Sequence, residues 1–160
     1  NDISAGELDP LIVDVAAEHD VPYVAMHMKG DPRTMQSMTD YRDIVAEVVD
    51  YFRERTAQLR ERGVRRIVVD PGFGFAKTLE QNYELLRGLH SLAELGYPVL
   101  AGVSRKSMIY KLLGTTPAEA LNGTTALHWE CLRQGAVILR AHDTREAVEV
   151  VRMFDQFMQA

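Results

Sequence analysis

Apolar residues recur along this chain in two alternating rhythms. Short apolar or β-branched runs occur at Tyr23 to Met28, Ile67 to Val69, Val99 to Val103 and Ala136 to Leu139. Between them lie longer segments whose apolar positions return every three or four residues, the spacing of an amphipathic helix. The first opens at Asp9-Pro10, with Asp as the cap and Pro at the first helical position, and reaches about His19. Asp31-Pro32-Arg33-Thr34 reads as a loop, after which Asp40 is predicted to cap a long helix to Arg62 with Gly63 as its left-handed terminator. Leu79 to Leu95 predicts one helix ending at Gly96. Thr116-Pro117 starts another, ending at Gln134 and Gly135, and Thr144 caps a last helix carrying Val148, Val151, Phe154 and Phe157.

Strands alternating with helices, without hairpin signals, predict an α/β fold with a parallel sheet and right-handed crossovers. Four strands plus a strand-like stub at Asn1-Asp2-Ile3 suit either the second half of a (β/α)8 barrel or an open doubly wound sheet. The periodicity does not separate the two. A start at Asn1 without methionine leads us to expect a fragment or a cleaved chain.

Parallel sheets bind ligands at the carboxyl ends of their strands. The Ile67 run passes directly into Asp70-Pro71-Gly72-Phe73-Gly74-Phe75-Ala76-Lys77, so Asp70 is either a strand-end acid or the cap of the turn before Pro71. Three other runs also end in polar residues, at Met26-His27, Ser104-Arg105-Lys106 and Arg140-Ala141-His142. Lys106 at a sheet edge suits ligand contact, whereas Arg105 reads as a solvated basic turn. Arg140 and His142 are two apart, so in a strand they share a face and converge on one phosphate. A buried Arg140 otherwise requires an acid such as Asp143. The glycine loop lacks the glycine directly before Lys77 that a Walker loop needs, and Gly72 and Gly74 are predicted instead to bring Phe73 or Phe75 over a flat ligand.

With 160 residues, 46% hydrophobic and 26% charged, the chain is expected to form a single domain over residues 1–160. A net charge of -5 argues against nucleic acid as a partner, and no run approaches the roughly 18 apolar residues of a membrane span. The lone Cys131 excludes an intrachain disulfide and suits a reducing compartment, so a cytoplasmic location is expected. His19, His27, His90, His128 and His142 show no ligand spacing, and no metal site is predicted. Met26-His27-Met28 reads as core or as one soft side chain lent to a pocket. The charged run from Arg53 to Arg62 reads as a solvated helix face.

Taken in order, Asn1-Asp2-Ile3, Met26-His27-Met28 with Gly30, Asp70 to Phe75 with Lys77, Ser104-Arg105-Lys106-Ser107 and Arg140-Ala141-His142-Asp143 closely resemble the dihydropteroate synthase family. The resemblance implies the C-terminal part of one pterin-binding TIM barrel. It implies condensation of 6-hydroxymethyl-7,8-dihydropterin pyrophosphate with p-aminobenzoate, giving 7,8-dihydropteroate and pyrophosphate in folate biosynthesis. Carried over by position, Asp70 holds the pterin's guanidine-like edge and favours the cation formed as pyrophosphate leaves, and Asn1 bonds the same ring. Lys106 reaches the pterin carbonyl, Phe75 and Met26 line the ring pocket, and Gly102 belongs to the substrate-binding set. Ser104 sits near the aminobenzoate carboxylate, and Arg140 and His142 clamp the pyrophosphate. Asp70, Lys106 and Arg140 form the catalytic set. Magnesium is the implied cofactor, a homodimer through late helices the implied assembly, and sulfonamides the implied inhibitors.

The family's early strands supply a metal-binding asparagine, a second pterin-binding aspartate and two mobile loops, none of which matches this sequence. Hence the magnesium ligand is expected from a preceding N-terminal part, and the 160 residues alone are expected to be inactive, with an unfinished sheet edge. Two alternatives remain. One is a methyltetrahydrofolate-binding domain of a corrinoid methyltransferase, against which the cations at Ser104 to Ser107, Arg140 and His142 speak. The other is a noncatalytic α/β interaction module whose strand-end charges pair with one another.

Overall fold

The computed structural model describes residues 1–160 apart from the side chain of Gln36. In chain order the elements are α1 (Leu11–Glu18), β1 (Tyr23–Met26), α2 (Ile44–Glu61), β2 (Ile67–Asp70), α3 (Leu79–Arg87), α4 (His90–Ala93), β3 (Leu100–Ala101), α5 (Ser107–Tyr110), α6 (Leu121–Arg133), β4 (Ile138–Leu139) and α7 (Thr144–Gln159). β1 pairs with β2 in parallel, Tyr23 opposite Ile67 and Met26 opposite Asp70, and β3 pairs with β4 in the same sense. Single parallel bridges, Asp2 to Ala25 and Val69 to Val99, join Asp2 to β1 and β2 to β3. The strands therefore lie side by side in the order in which the chain makes them. A doubly wound sheet reverses its direction of growth partway, so this order is that of a βα barrel wall. At the β4 edge Val137 and Ile138 are exposed.

β2 is buried at all four positions, as a parallel strand covered on both faces must be. Its core partners come from α2, through Ile44, Val48, Phe52 and Leu59, and from Leu85, Leu89 and Leu92 in the region of α3 and α4. Phe73, Val103, Met108, Ile109 and Cys131 continue the same cluster.

Several helix boundaries differ from those expected. Asp43 rather than Asp40 caps α2: its carboxylate accepts from Ala46 N at 3.0 Å, while the Asp40 carbonyl is taken by Lys29 Nζ at 2.6 Å. Gly63 does terminate that helix, at φ +89. The segment from Leu79 to Leu95 breaks in two at Gly88, where a Cβ would fall 2.6 Å from Val45 on α2. Pro10 occupies the cap position of α1 itself, although Asp9 still accepts from Leu11 N at 3.1 Å. Thr116-Pro117 opens only a short 3-10 turn, Pro117–Glu119, before α6 begins. Thr144 is the first residue of α7 rather than its cap, and the Asp143 carbonyl accepts from Ala147 N.

The bridge at Asp2 depends on a carboxylate that pattern alone did not single out. Asp2 accepts from Ser4 N and Ser4 Oγ, both at 2.9 Å, and from Gly6 N and Tyr23 Oη, both at 2.6 Å. Burial pushes its pKa up, but the hydrogen bonds outweigh it and hold the group below 3.8. Removing the acid leaves several partly buried donors without a partner. In a double-mutant cycle of Asp2→Ala with Tyr23→Phe, followed by urea unfolding, we expect a coupling of about 1–3 kcal/mol, the cost of one orphaned partner of a charged group.

Candidate functional site

The carboxyl edge of the wall gathers one acid and several cations. Asp70, the last residue of β2, is 3% exposed, and its carboxylate accepts from Gly72 N at 2.8 Å and from the Asn1 side chain. Burial is the dominant influence and raises its pKa, while the Gly72 amide, the charges of Lys106 and Arg140, and the Asn1 hydrogen bond favour ionisation. Gly72 permits this geometry: at φ +68 its Cβ would lie 2.1 Å from the His27 carbonyl oxygen and 3.3 Å from Met26 Cγ. The β2 loop thus rests directly on the end of β1.

The two aromatic residues of the loop separate. Phe73 is fully buried in the main core, whereas Phe75 is half-buried in a second apolar cluster with Met26, Met28, Ala76, Ile3 and Met35. Lys106 lies between the acid and this cluster. Its Nζ donates to the Phe73 carbonyl and sits 4.9 Å from the Phe75 ring centroid. Burial pulls its pKa down to about 8, with Arg140 adding to the fall and Asp70 opposing it. Gly102 borders the same space, since a Cβ there would lie 3.9 Å from Lys106 Nζ and 4.0 Å from Arg140 Cβ.

Ser104 is buried; its Oγ accepts from His142 N at 3.1 Å and meets His142 Nδ1 at 2.9 Å, so it orients His142. Four expectations need revision. Arg140 is not buried, because β4 ends at Leu139 and the side chain leaves the sheet beyond the last pairing. The same early end removes the shared strand face assigned to Arg140 and His142. Asp143 pairs with Arg105 rather than Arg140, through two bonds of 2.8 Å. Arg105 is therefore no solvated turn: it also donates to the carbonyls of Pro117 at 2.7 Å and Ala118 at 2.5 Å, and locks three loops together.

Three buried residues lie beneath the loop: Lys77 and His27, to which the local pattern gave no site role, and Asn82, which it did not mark. Lys77, 5% exposed, places its Nζ 3.1 Å from His27 Nδ1, 3.0 Å from Gly72 O and 2.9 Å from Phe75 O. Burial lowers its pKa to about 7 despite the opposing pull of Asp70. Asn82 accepts from Gly74 N at 2.6 Å and donates to Thr78 O at 2.6 Å. The signal in the sequence is a tight loop rich in backbone carbonyls followed by Lys77, a combination that comparison with a nucleotide motif alone passes over. Among the described residues no three His, Cys, Asp or Glu side chains converge to hold a metal ion.

Residues 1–142 match the family described as pterin binding enzyme. The dihydropteroate synthase of Synechocystis sp. is 43% identical over 158 residues, which cover 97% of this chain and 55% of that protein. A crystal structure of the dihydropteroate synthase from Thermus thermophilus in complex with 6HMPPP aligns with a TM-score of 0.92 at 41% identity, covering 98% of this chain and 62% of the other. The same enzyme in complex with 4-aminobenzoate gives 0.93 at 40% identity, covering 98% and 64%. The chain spans about half the length of the curated relatives it matches.

Burial, reinforced by the charges of Lys77 and Lys29, holds the His27 imidazole well below its ordinary value of 6.5. The native state then lacks a proton that the unfolded chain binds below pH 6.5, so stability falls on acidification through that point. Urea unfolding between pH 7.5 and 5 should show this loss approaching about 1.4 kcal/mol per pH unit from the one group, and His27→Asn should remove it.

Proposed function

The chain belongs to the pterin-binding enzyme family, and we propose that the full-length protein condenses 6-hydroxymethyl-7,8-dihydropterin pyrophosphate with p-aminobenzoate, releasing pyrophosphate. The observation that carries the reading is a nearly inaccessible carboxylate at the end of β2, beside an apolar cluster and within the field of two cations. A buried acid of this kind suits a ligand edge that presents paired N–H donors. The Met26 and Phe75 walls suit a flat ring, and Lys106, near the ring of Phe75, suits its carbonyl oxygen and the flank of the second aromatic substrate.

In this proposal the carbon–oxygen bond to the diphosphate breaks with its electron pair leaving on the diphosphate. The aminobenzoate nitrogen bonds to the same methylene carbon and then loses a proton. Asp70 favours the positive charge that develops on the pterin, while Arg140 and His142 neutralise the leaving group. No protein nucleophile is required, because alignment of the amine and stabilisation of separating charge supply the acceleration.

We further propose a homodimer through α6 and α7. There Trp129 packs edge-on against Phe154 and Phe157, and Met153, Phe157 and Met158 remain exposed. A cytoplasmic location fits the buried, unpaired Cys131 thiol.

The test is calorimetric titration of the full-length protein with the pyrophosphorylated pterin and with methyltetrahydrofolate, alongside a pyrophosphate-release assay. Asp70→Asn should cost about 1.5–3 kcal/mol of binding to the former, roughly 10- to 150-fold, the value of a charge-assisted pair. Tight binding of methyltetrahydrofolate alone would assign the protein to methyl transfer. An unchanged affinity in Asp70→Asn would leave only an interaction module.

A further inference from the structure

Lys77 is the cation that the proposed reaction leaves without a task. Its ammonium carries three hydrogens and meets three acceptors, the carbonyls of Gly72 and Phe75 and the ring nitrogen of His27, all within 3.1 Å. Nothing about this arrangement suits a ligand of its own, since the group is buried and its donors are committed. The partners are informative by their position. His27 directly follows Met26, which packs in one apolar cluster with Phe75, and these are the two residues proposed above to line the ring. Gly72, the third partner's residue, lies against the His27 backbone and donates its own N–H to Asp70.

The rest of the loop has little freedom to compensate. Asn82, 2% exposed, holds Gly74 N from the same underside, and Phe75 N closes back on Gly72 O at 3.1 Å. Without the ammonium, the carbonyls of Gly72 and Phe75 face a dry interior with one donor between them. The cheapest remedy is rotation of the peptide units toward water, which carries Phe75 with them.

We propose that Lys77 is a positioning residue that ties the end of β1 to the glycine loop of β2 and so fixes the spacing between the Met26 and Phe75 walls that receive the flat ring. His27 takes part as a neutral imidazole with Nδ1 free to accept, its charged form being opposed first by burial and then by the charges of Lys77 and Lys29. This deepens the pterin reading and rests on it. The clamp acts on the ring slot and leaves the second substrate's contacts to other residues.

Steady-state kinetics of the full-length protein decide the matter, with Lys77→Met, His27→Leu and His27→Asn compared with wild type. Lys77→Met should raise KM for the pterin pyrophosphate about tenfold, the scale of one lost hydrogen bond, while KM for p-aminobenzoate changes less than about twofold. His27→Leu should reproduce that split, and His27→Asn, whose amide oxygen stands where Nδ1 stood, should recover most of the loss. A rise in both KM values together, a rise in neither, or equal behaviour of the two His27 variants overturns the clamp. Should Lys77→Met fail to fold, the contrast between the two His27 variants still tests the clamp. Wild-type protein that makes no dihydropteroate overturns the proposed reaction instead, and the clamp is then judged by equilibrium titration of the same variants with a pterin.

Discussion

A carboxylate shut away from water sets the terms for everything around it. Ionised Asp70 is tolerable at 3% exposure only if backbone dipoles, an amide and nearby cations replace the lost hydration. Gly72 N and Asn1 supply the contacts, and Lys106 and Arg140 supply the field. Each of these comes from a different segment, so the acid can be accommodated only when all of them arrive at one edge. The parallel, sequential order of strands is what delivers them. Asn1 precedes the first bridge, Asp70 ends β2, Lys106 follows β3 and Arg140 follows β4.

The site is layered in depth. In the proposed reaction Asp70, Phe75, Met26, Lys106 and Arg140 stand nearest the substrates. Beneath them lie Lys77, His27 and Asn82, and beside them Ser104 and Arg105, which brace His142 and Asp143. Glycine at 72 lets the two layers approach until β2's loop touches the His27 carbonyl. Precision at the surface of such a site comes from polar satisfaction underneath it.

Local chemistry made much of this legible. The strand at Ile67, the acid after it and the terminator Gly63 follow from β-branching, turn residues and helix ends that neighbours in sequence determine. What escaped depended on partners far along the chain. Gly88 breaks a helix because Val45 crosses it, and Arg105 seemed solvated because Asp143 lies 38 residues away. Lys77 and His27 are 50 positions apart. Strand order, the feature that excludes the doubly wound sheet, is likewise a long-range property.

The bidentate bond between Arg105 and Asp143 changes what an approaching anion experiences. A tally of basic residues along this rim would count three, Arg105, Lys106 and Arg140, yet the first is cancelled within 2.8 Å by its own carboxylate. Its contribution to the long-range potential is that of a dipole, which fades far faster with distance than a charge does. Arg105 therefore adds little to the attraction of an anion toward this rim, in a chain whose net charge is -5.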